Sequence, residues 1–273
     1  MSTTHTTEPA ARINRPADHP GGAPRGSAPQ RDVSRRRAAR VAGLAYVGLF
    51  FIGLFANFFV LDGLIESGDA TTTAANLRES EGLFRFGLVG FLVIFALDVV
   101  VAWALHLVFR PINRDLSLLA AWFRLAYTTL LGMATVFLFL ALHQVTGADY
   151  LTAFDPAQLD AQAMSYLDGF ATTWVIGLLL FGVHLLLLGW MILTSGTISR
   201  ALGYLLMLAG AGYVVDTLAH ALLGNYLEYE GVFLAIVAVP AVIGEFALTL
   251  WLLLRAGDQP ARSIQERRVE VHG

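Results

Sequence analysis

The sequence contains no cysteine and no lysine, and charged residues occupy only 14% of its 273 positions. Without cysteine, the chain has no disulfide framework, no thiolate nucleophile and no Cys-ligated zinc or iron–sulfur centre. An ordinary soluble domain has about 25% charged residues, whereas this chain is 56% hydrophobic. So little charge with so much apolar sequence excludes a disordered body, a collagen-like fibre and a nucleic-acid-binding surface.

Six apolar runs are each long enough to cross a bilayer, which takes about 20 residues. The runs are continuous and do not alternate with polar residues, so they predict helices and disfavour a β-barrel. The predicted fold is all-α, a membrane helix bundle with a disordered basic tail at 1–40 and a second tail at 255–273. The predicted spans are 41–61, 84–109, 116–142, 170–193, 200–223 and 232–254.

The arginine-rich segment 34–40 before the first run also resembles the start of a secretory or twin-arginine signal. The run that follows is too long for a typical signal core, and no small-residue cleavage site follows it. We therefore predict a retained signal-anchor helix.

Arginine is distributed unevenly along the chain. The two tails, the second and fourth loops and the adjoining Arg200 hold 15 Arg and 7 acidic residues, whereas the other three loops and the adjoining Arg85 hold 2 Arg and 11 acidic residues. By the positive-inside rule, the arginine-rich side is cytoplasmic. The sequence therefore predicts a multi-pass protein of the bacterial inner (plasma) membrane, with both termini in the cytoplasm and the lipid bilayer as its surroundings.

Two of the acidic loops contain helix-start signals. Asp155 followed by Pro156 matches an N-cap with proline at the first helical position, and good helix formers follow. Asp69 is a similar cap for a short helix through Arg78, although three consecutive threonines lower helix propensity there. We predict a short outer helix at each place, and we expect the one that starts at Asp155 to run into the fourth span.

Four ionisable residues within the spans are predicted to lie in one layer: Asp98, Arg124, His184 and Glu245. At about 1.5 Å of rise per residue, they lie about 12 to 17 Å from the cytoplasmic ends of their helices. An unpaired charge at this depth costs at least about 2.5–3.5 kcal/mol, so these groups are expected to face inward and to pair. Arg124 is able to bridge Asp98 and Glu245, and the remaining negative charge would be met by a charged His184 or by one protonated carboxyl.

This layer has two interpretations. The first is a substrate or proton site. The second is a purely structural role, in which the polar residues only join helices through hydrogen bonds, as they commonly do between membrane helices. A further alternative is that the Arg124 side chain extends toward the lipid headgroups on the cytoplasmic side.

Asp216 and His220 are four residues apart on one helix face, a spacing that suits two ligands of a metal ion. His143 and Asn57 are predicted near the same level of the membrane. This constellation defines the competing hypothesis, a metal-dependent intramembrane hydrolase. Chance i, i+4 pairs are common, and an interfacial histidine is more often a hydrogen-bonding residue.

Several short motifs are spread along the chain. They include Gly68-Asp69-Ala70, the segments 107–113, 121–125 and 147–151, and Gly244-Glu245. Together these motifs resemble the bacterial domain-of-unknown-function family 4386. The resemblance covers about 40–254 and implies a six-span bacterial membrane protein without an established activity or catalytic residues.

No nucleotide-binding loop, nucleophile elbow, His-Glu-x-x-His helix or Rossmann fingerprint occurs in the sequence. No cofactor and no nucleic-acid partner are predicted, and enzyme activity is not favoured. The favoured function is binding or translocation of a small molecule or proton through the polar layer. The alternatives are the hydrolase and a structural or signalling membrane subunit, and the oligomeric state is left open.

Overall fold

The computed structural model describes residues 34–147 and 149–255, and all regular elements within these ranges are helices. Six of these helices are long and apolar enough to cross a membrane, which confirms the predicted all-α, six-span architecture. The predicted tails fall almost entirely outside the described residues. The helices are α1 (Arg35–Leu54), α2 (Asp62–Leu64), α3 (Ala70–Glu79), α4 (Glu81–Phe109), α5 (Arg114–Thr146), α6 (Pro156–Ser195), α7 (Arg200–Leu222) and α8 (Glu230–Leu254).

The first span begins earlier than the sequence predicted. Helix α1 starts at Arg35, so residues 35–40 are helical and the predicted tail boundary at 40 is wrong. The Ser34 side chain caps this start by accepting a hydrogen bond from the Arg37 amide at 3.3 Å. Ala38 and Ala39 are buried against the bundle, which gives this basic turn a packing surface.

The first span also contains a π-helical segment, Phe55–Leu61, which joins α1 to α2. In such a segment the backbone bonds to the fifth residue along, and it is frequent at functional sites. Within it, the Asn57 amide donates to the Gly53 carbonyl at 3.0 Å. The sequence pattern did not indicate this change of helix type.

Both predicted outer helices are confirmed, with the caps that were expected. Asp69 accepts a hydrogen bond from the Thr72 amide at 2.9 Å at the start of α3. Asp155 accepts from the Ala157 amide at 2.9 Å, and Gln158 completes a capping box. The second outer helix runs into the fourth span as predicted, because it forms the first turns of α6, which is 40 residues long.

The six spanning helices close a ring in which each packs against its neighbours in chain order and α1 packs against α8. Helices α6 and α7 approach each other closely, where Gly182 faces Gly210 and Gly189 faces Gly203. A methyl group built on Gly182 would lie 2.7 Å from the Gly210 carbonyl oxygen. Small residues allow this backbone contact, which is a common way for membrane helices to associate. The ring places one face of every span toward a shared interior.

Candidate functional site: a buried polar layer

Arg124 on α5 and Asp98 on α4 form an ion pair in the interior of the ring. The Arg124 Nε donates to Asp98 Oδ1 at 3.0 Å, and Arg124 Nη2 donates to the same oxygen. The two residues are 1% and 2% exposed. Arg124 therefore points into the bundle and does not extend toward the headgroups, and the two opposite charges are matched within the low-dielectric interior.

His184 on α6 contacts the other side of the guanidinium. Its Nδ1 lies 2.8 Å from the Ala120 carbonyl oxygen, and its Nε2 lies 3.4 Å from Arg124 Nη1. A carbonyl only accepts, so Nδ1 carries the proton, and Nε2 is left to accept from the guanidinium. A second proton on Nε2 would face the N–H groups of Arg124. The hydrogen-bond pattern thus assigns a neutral imidazole.

Tyr46 on α1 completes the contacts of Arg124, and the sequence reasoning missed it. Arg124 Nη1 donates to the Tyr46 hydroxyl at 2.7 Å. The guanidinium carbon also lies 5.0 Å from the centre of the Tyr46 ring and 5.3 Å from that of Phe181. The signal that would have identified Tyr46 is a phenol in mid-span beside Ala42, Gly43 and Ala45, since a buried phenol needs a hydrogen-bond partner.

Glu245 on α8 is near this cluster but is not bonded to it. It lines one cavity of about 170 Å³ together with Asp98 and Arg124. Among the described residues, its carboxylate takes part in none of the hydrogen bonds or ion pairs. The expectation that Arg124 bridges Asp98 and Glu245 is therefore wrong. The reason is geometric, because Nε and Nη2 are both directed to Asp98 while Nη1 is directed to Tyr46 and His184.

The central cavity shares wall residues with two further cavities. A groove beside Asp62 shares Asn57, Trp174 and Leu178 with it. A lateral cavity of about 350 Å³ between α1 and α8 shares Leu49, Tyr213 and Glu245 with it. Glu245 therefore borders both the central and the lateral cavity.

Asp216 and His220, the predicted metal pair, lie on α7 apart from the polar layer. The Tyr226 hydroxyl donates to Asp216 Oδ1 at 2.7 Å, and the rings of His220 and Tyr226 have centroids 4.4 Å apart. His143 contacts Tyr150 instead. Within residues 34–147 and 149–255, no group of three or more His, Asp and Glu side chains is arranged to hold a metal ion.

Comparisons with known proteins agree with the resemblance seen in the sequence. The family model described as "Domain of unknown function (DUF4386)" matches residues 41–256. A curated relative from Archaeoglobus fulgidus, named "Uncharacterized protein", is 31% identical over 170 residues, which are 62% of this chain and 83% of the relative. No solved structure matches.

Proposed function

This chain belongs to the DUF4386 family, and we propose that it binds or translocates a proton or a small molecule through the polar layer of Asp98, Arg124, His184 and Glu245. The observation that carries this proposal is the position of Glu245. Its carboxylate borders two cavities in the bundle and has no hydrogen-bond partner among the described residues. A carboxylate without a partner inside a membrane-spanning helix is costly, so it binds a proton or a cationic ligand.

The charges of the layer support this role for Glu245. Arg124 and Asp98 neutralise each other through two hydrogen bonds. The hydrogen bonds of His184 assign it the neutral form, so it supplies no second positive charge. The layer is left with one unmatched carboxylate, and a proton or another monocation balances it.

The cavities support access to this carboxylate. The groove at Asp62, the central cavity and the lateral cavity share wall residues in series, and Glu245 stands between the last two. A species entering beside Asp62 would pass Asn57 and Trp174 before it meets Asp98 and Arg124. Side-chain motion along this series is the step that translocation requires.

We also propose the orientation in the inner membrane that the arginine distribution predicts, with both termini cytoplasmic. In that orientation Asp62 lies on the outer side. The groove beside Asp62 would then be the outer entrance, and the acidic outer loops would attract cations to it.

The test is proton flux into proteoliposomes that contain the purified protein and a trapped pH-sensitive dye. Glu245→Gln keeps the shape of the side chain but removes its proton-binding group, so flux is expected to fall to the level of empty liposomes. Asp216→Asn is the matched control, because it removes a carboxylate on a spanning helix outside the three cavities and should leave flux unchanged. Equal flux from the wild type and Glu245→Gln would contradict the proposal.

The other two interpretations have less support from the geometry. Structural joining explains Asp98, Arg124, Tyr46 and His184, which are bonded across four helices, but leaves Glu245 without a role. The hydrolase requires a third ligand beside Asp216 and His220, and the described residues supply none.

A further inference from the structure

The lateral cavity is a groove between α1 and α8 whose sides are apolar. Val47, Phe50 and Phe51 line it from α1, and Val242 and Phe246 line it from α8. Phe51, Val242 and Phe246 are each more than half exposed at the surface of the bundle. On a spanning helix such a surface faces lipid, so the groove is accessible from the hydrocarbon region of the bilayer.

The floor of the groove is polar, in contrast to its sides. Tyr46, Tyr213 and Glu245 line this inner end. The Thr249 hydroxyl donates to the Glu245 backbone carbonyl at 2.8 Å, so it satisfies the helix and does not satisfy the carboxylate. The groove thus combines an apolar entrance with a carboxylate and two phenols at its end.

The volume and charge of the groove limit the ligand that fits it. About 350 Å³ lies within the range of small-molecule sites, which are mostly apolar with a few polar groups that fix orientation. An anion would be repelled by Glu245, and a neutral apolar molecule would leave the carboxylate unmatched. A monocation matches the single excess charge of the layer, and the hydroxyl oxygens of Tyr46 and Tyr213 supply hydrogen-bond acceptors for it.

We propose that the groove between α1 and α8 binds a lipophilic amine from the bilayer, an apolar molecule with one protonated nitrogen, with Glu245 as its counter-ion. This inference rests on the proposed function, since it names the substrate class for the same carboxylate. The protonated nitrogen donates to Glu245, and its remaining N–H groups are directed to the phenol oxygens. The apolar body lies along Phe50, Phe51 and Phe246, where it replaces lipid.

The test is photo-crosslinking of the full chain in lipid nanodiscs with an alkyl diazirine amine. The matched probes are the alcohol and the carboxylic acid with the same diazirine chain. Labelled peptides are mapped by mass spectrometry, and labelling of the groove segments 46–51 and 242–249 is normalised to labelling around Met133, a lipid-exposed residue of α5. The normalisation removes differences in how the three probes partition into the bilayer.

The amine is expected to label the groove more strongly than the alcohol, and the acid least. Glu245→Gln should lower groove labelling by the amine about tenfold, the cost of losing a charged hydrogen bond, and leave the alcohol unchanged. Asp216→Asn should change neither probe. Equal labelling by amine and alcohol, or an amine preference that survives Glu245→Gln in folded protein, would overturn the inference.

Proton flux separates this inference from the function on which it rests. If Glu245→Gln abolishes flux but the amine shows no preference for the groove, the lipophilic-amine inference fails and the proton-binding function stands. If Glu245→Gln leaves flux unchanged and the amine shows no preference, both fail. Gel filtration of each variant establishes that it is folded.

Discussion

Arg124 contacts side chains from three other helices: Asp98 on α4, Tyr46 on α1 and His184 on α6. A lysine at this position would supply one ammonium group, whereas the guanidinium supplies N–H groups in three directions at once. Because the residue is almost fully buried, each of these contacts compensates for solvation that Arg124 has lost. The ion pair is therefore a requirement for burying either charge.

We expect Arg124→Leu to destabilise the protein by about 3–5 kcal/mol, because it leaves the Asp98 carboxylate buried without a partner. The double variant Asp98→Leu/Arg124→Leu should be more stable than Arg124→Leu alone, since it removes both charges. Denaturant unfolding in detergent measures these differences. Arg114→Leu, the same substitution at an exposed position on α5, is the control.

A double variant as unstable as Arg124→Leu alone would show that the ion pair is not the reason for the loss. An Arg124→Leu variant that is as stable to denaturant as Arg114→Leu would lead to the same conclusion.

At this scale the sequence indicates which residues matter but not how they are bonded. Asp98, Arg124, His184 and Glu245 stand out because ionisable groups are rare within apolar runs. Tyr46 is hidden among the aromatic residues of the first span. Which carboxylate binds Arg124 depends on the rotation of α4 and α8 about their axes, which spacing along a single helix does not determine.

Among the helices, the α6–α7 contact depends most strongly on small side chains. Gly182 and Gly210 approach so closely that a methyl group on either would lie within 2.7 Å of the other's carbonyl oxygen. We expect Gly182→Ala to cost about 1–3 kcal/mol, the range for overpacking a tight interface. Gly82→Ala is the control, because a methyl group there meets no atom within 4 Å and replaces glycine near the start of a helix.

Thermal unfolding in detergent measures this difference. A Gly182→Ala variant as stable as Gly82→Ala would contradict the close backbone contact between α6 and α7.

The stability of the outer helix α3 is expected to fall at acidic pH, because its N-cap is the carboxylate of Asp69. The backbone amide and then the hydroxyl of Thr72 donate to Asp69, and these hydrogen bonds lower the pKa of the Asp69 carboxyl. A carboxyl whose pKa is lower in the folded state contributes stability above its unfolded pKa of about 3.9 and loses it as the pH falls through the folded value. We expect the amide hydrogens of α3 to exchange faster at that acidic pH, relative to the other outer segments, in hydrogen-exchange mass spectrometry.

Asp69→Asn tests the cause, because asparagine caps a helix without titrating. In this variant the pH dependence of α3 exchange should disappear. An unchanged pH dependence would assign the effect to another group.

The elements were predicted well where local signals are strong. The Asp69 and Asp155 caps and the six apolar runs each correspond to observed helices. The π-helical segment Phe55–Leu61 was not predicted, because no residue preference distinguishes it from an α-helix of the same composition. The helical start at Arg35 was missed because arginines outside the apolar run gave no periodic pattern.

For the whole molecule, the ring of six spans explains how residues far apart in the sequence meet. Helix α8 returns to pack on α1, so the last span brings Glu245 beside Tyr46 and Leu49. The charge distribution predicts six spans and an orientation, but it carries no information on which helices are neighbours. The ring order and the cavities therefore required the structure.

The orientation is tested with single introduced cysteines, since the chain has no cysteine of its own that would also react. We expect Ser67→Cys, between α2 and α3, to react with a membrane-impermeant maleimide in intact cells. Ser263→Cys, in the C-terminal segment, should react only after the cells are broken. The reverse pattern would place the termini outside, against the positive-inside rule.

The role of Glu245 as the proton-binding group of the layer is tested most directly by infrared spectroscopy of the protein in lipid. A carboxylic acid has a carbonyl stretch that is separate from the bands of carboxylates and amides. All 21 Asp and Glu side chains contribute to it as they protonate, so the titration of Glu245→Gln is subtracted from that of the wild type to isolate Glu245. We expect one component of this absorption to grow as the pH falls in the wild type and in Asp216→Asn, and to be missing from Glu245→Gln. Carboxylic acid absorption that grows equally in the wild type and in Glu245→Gln, over the pH range in which both stay folded, would contradict the assignment of proton binding to Glu245.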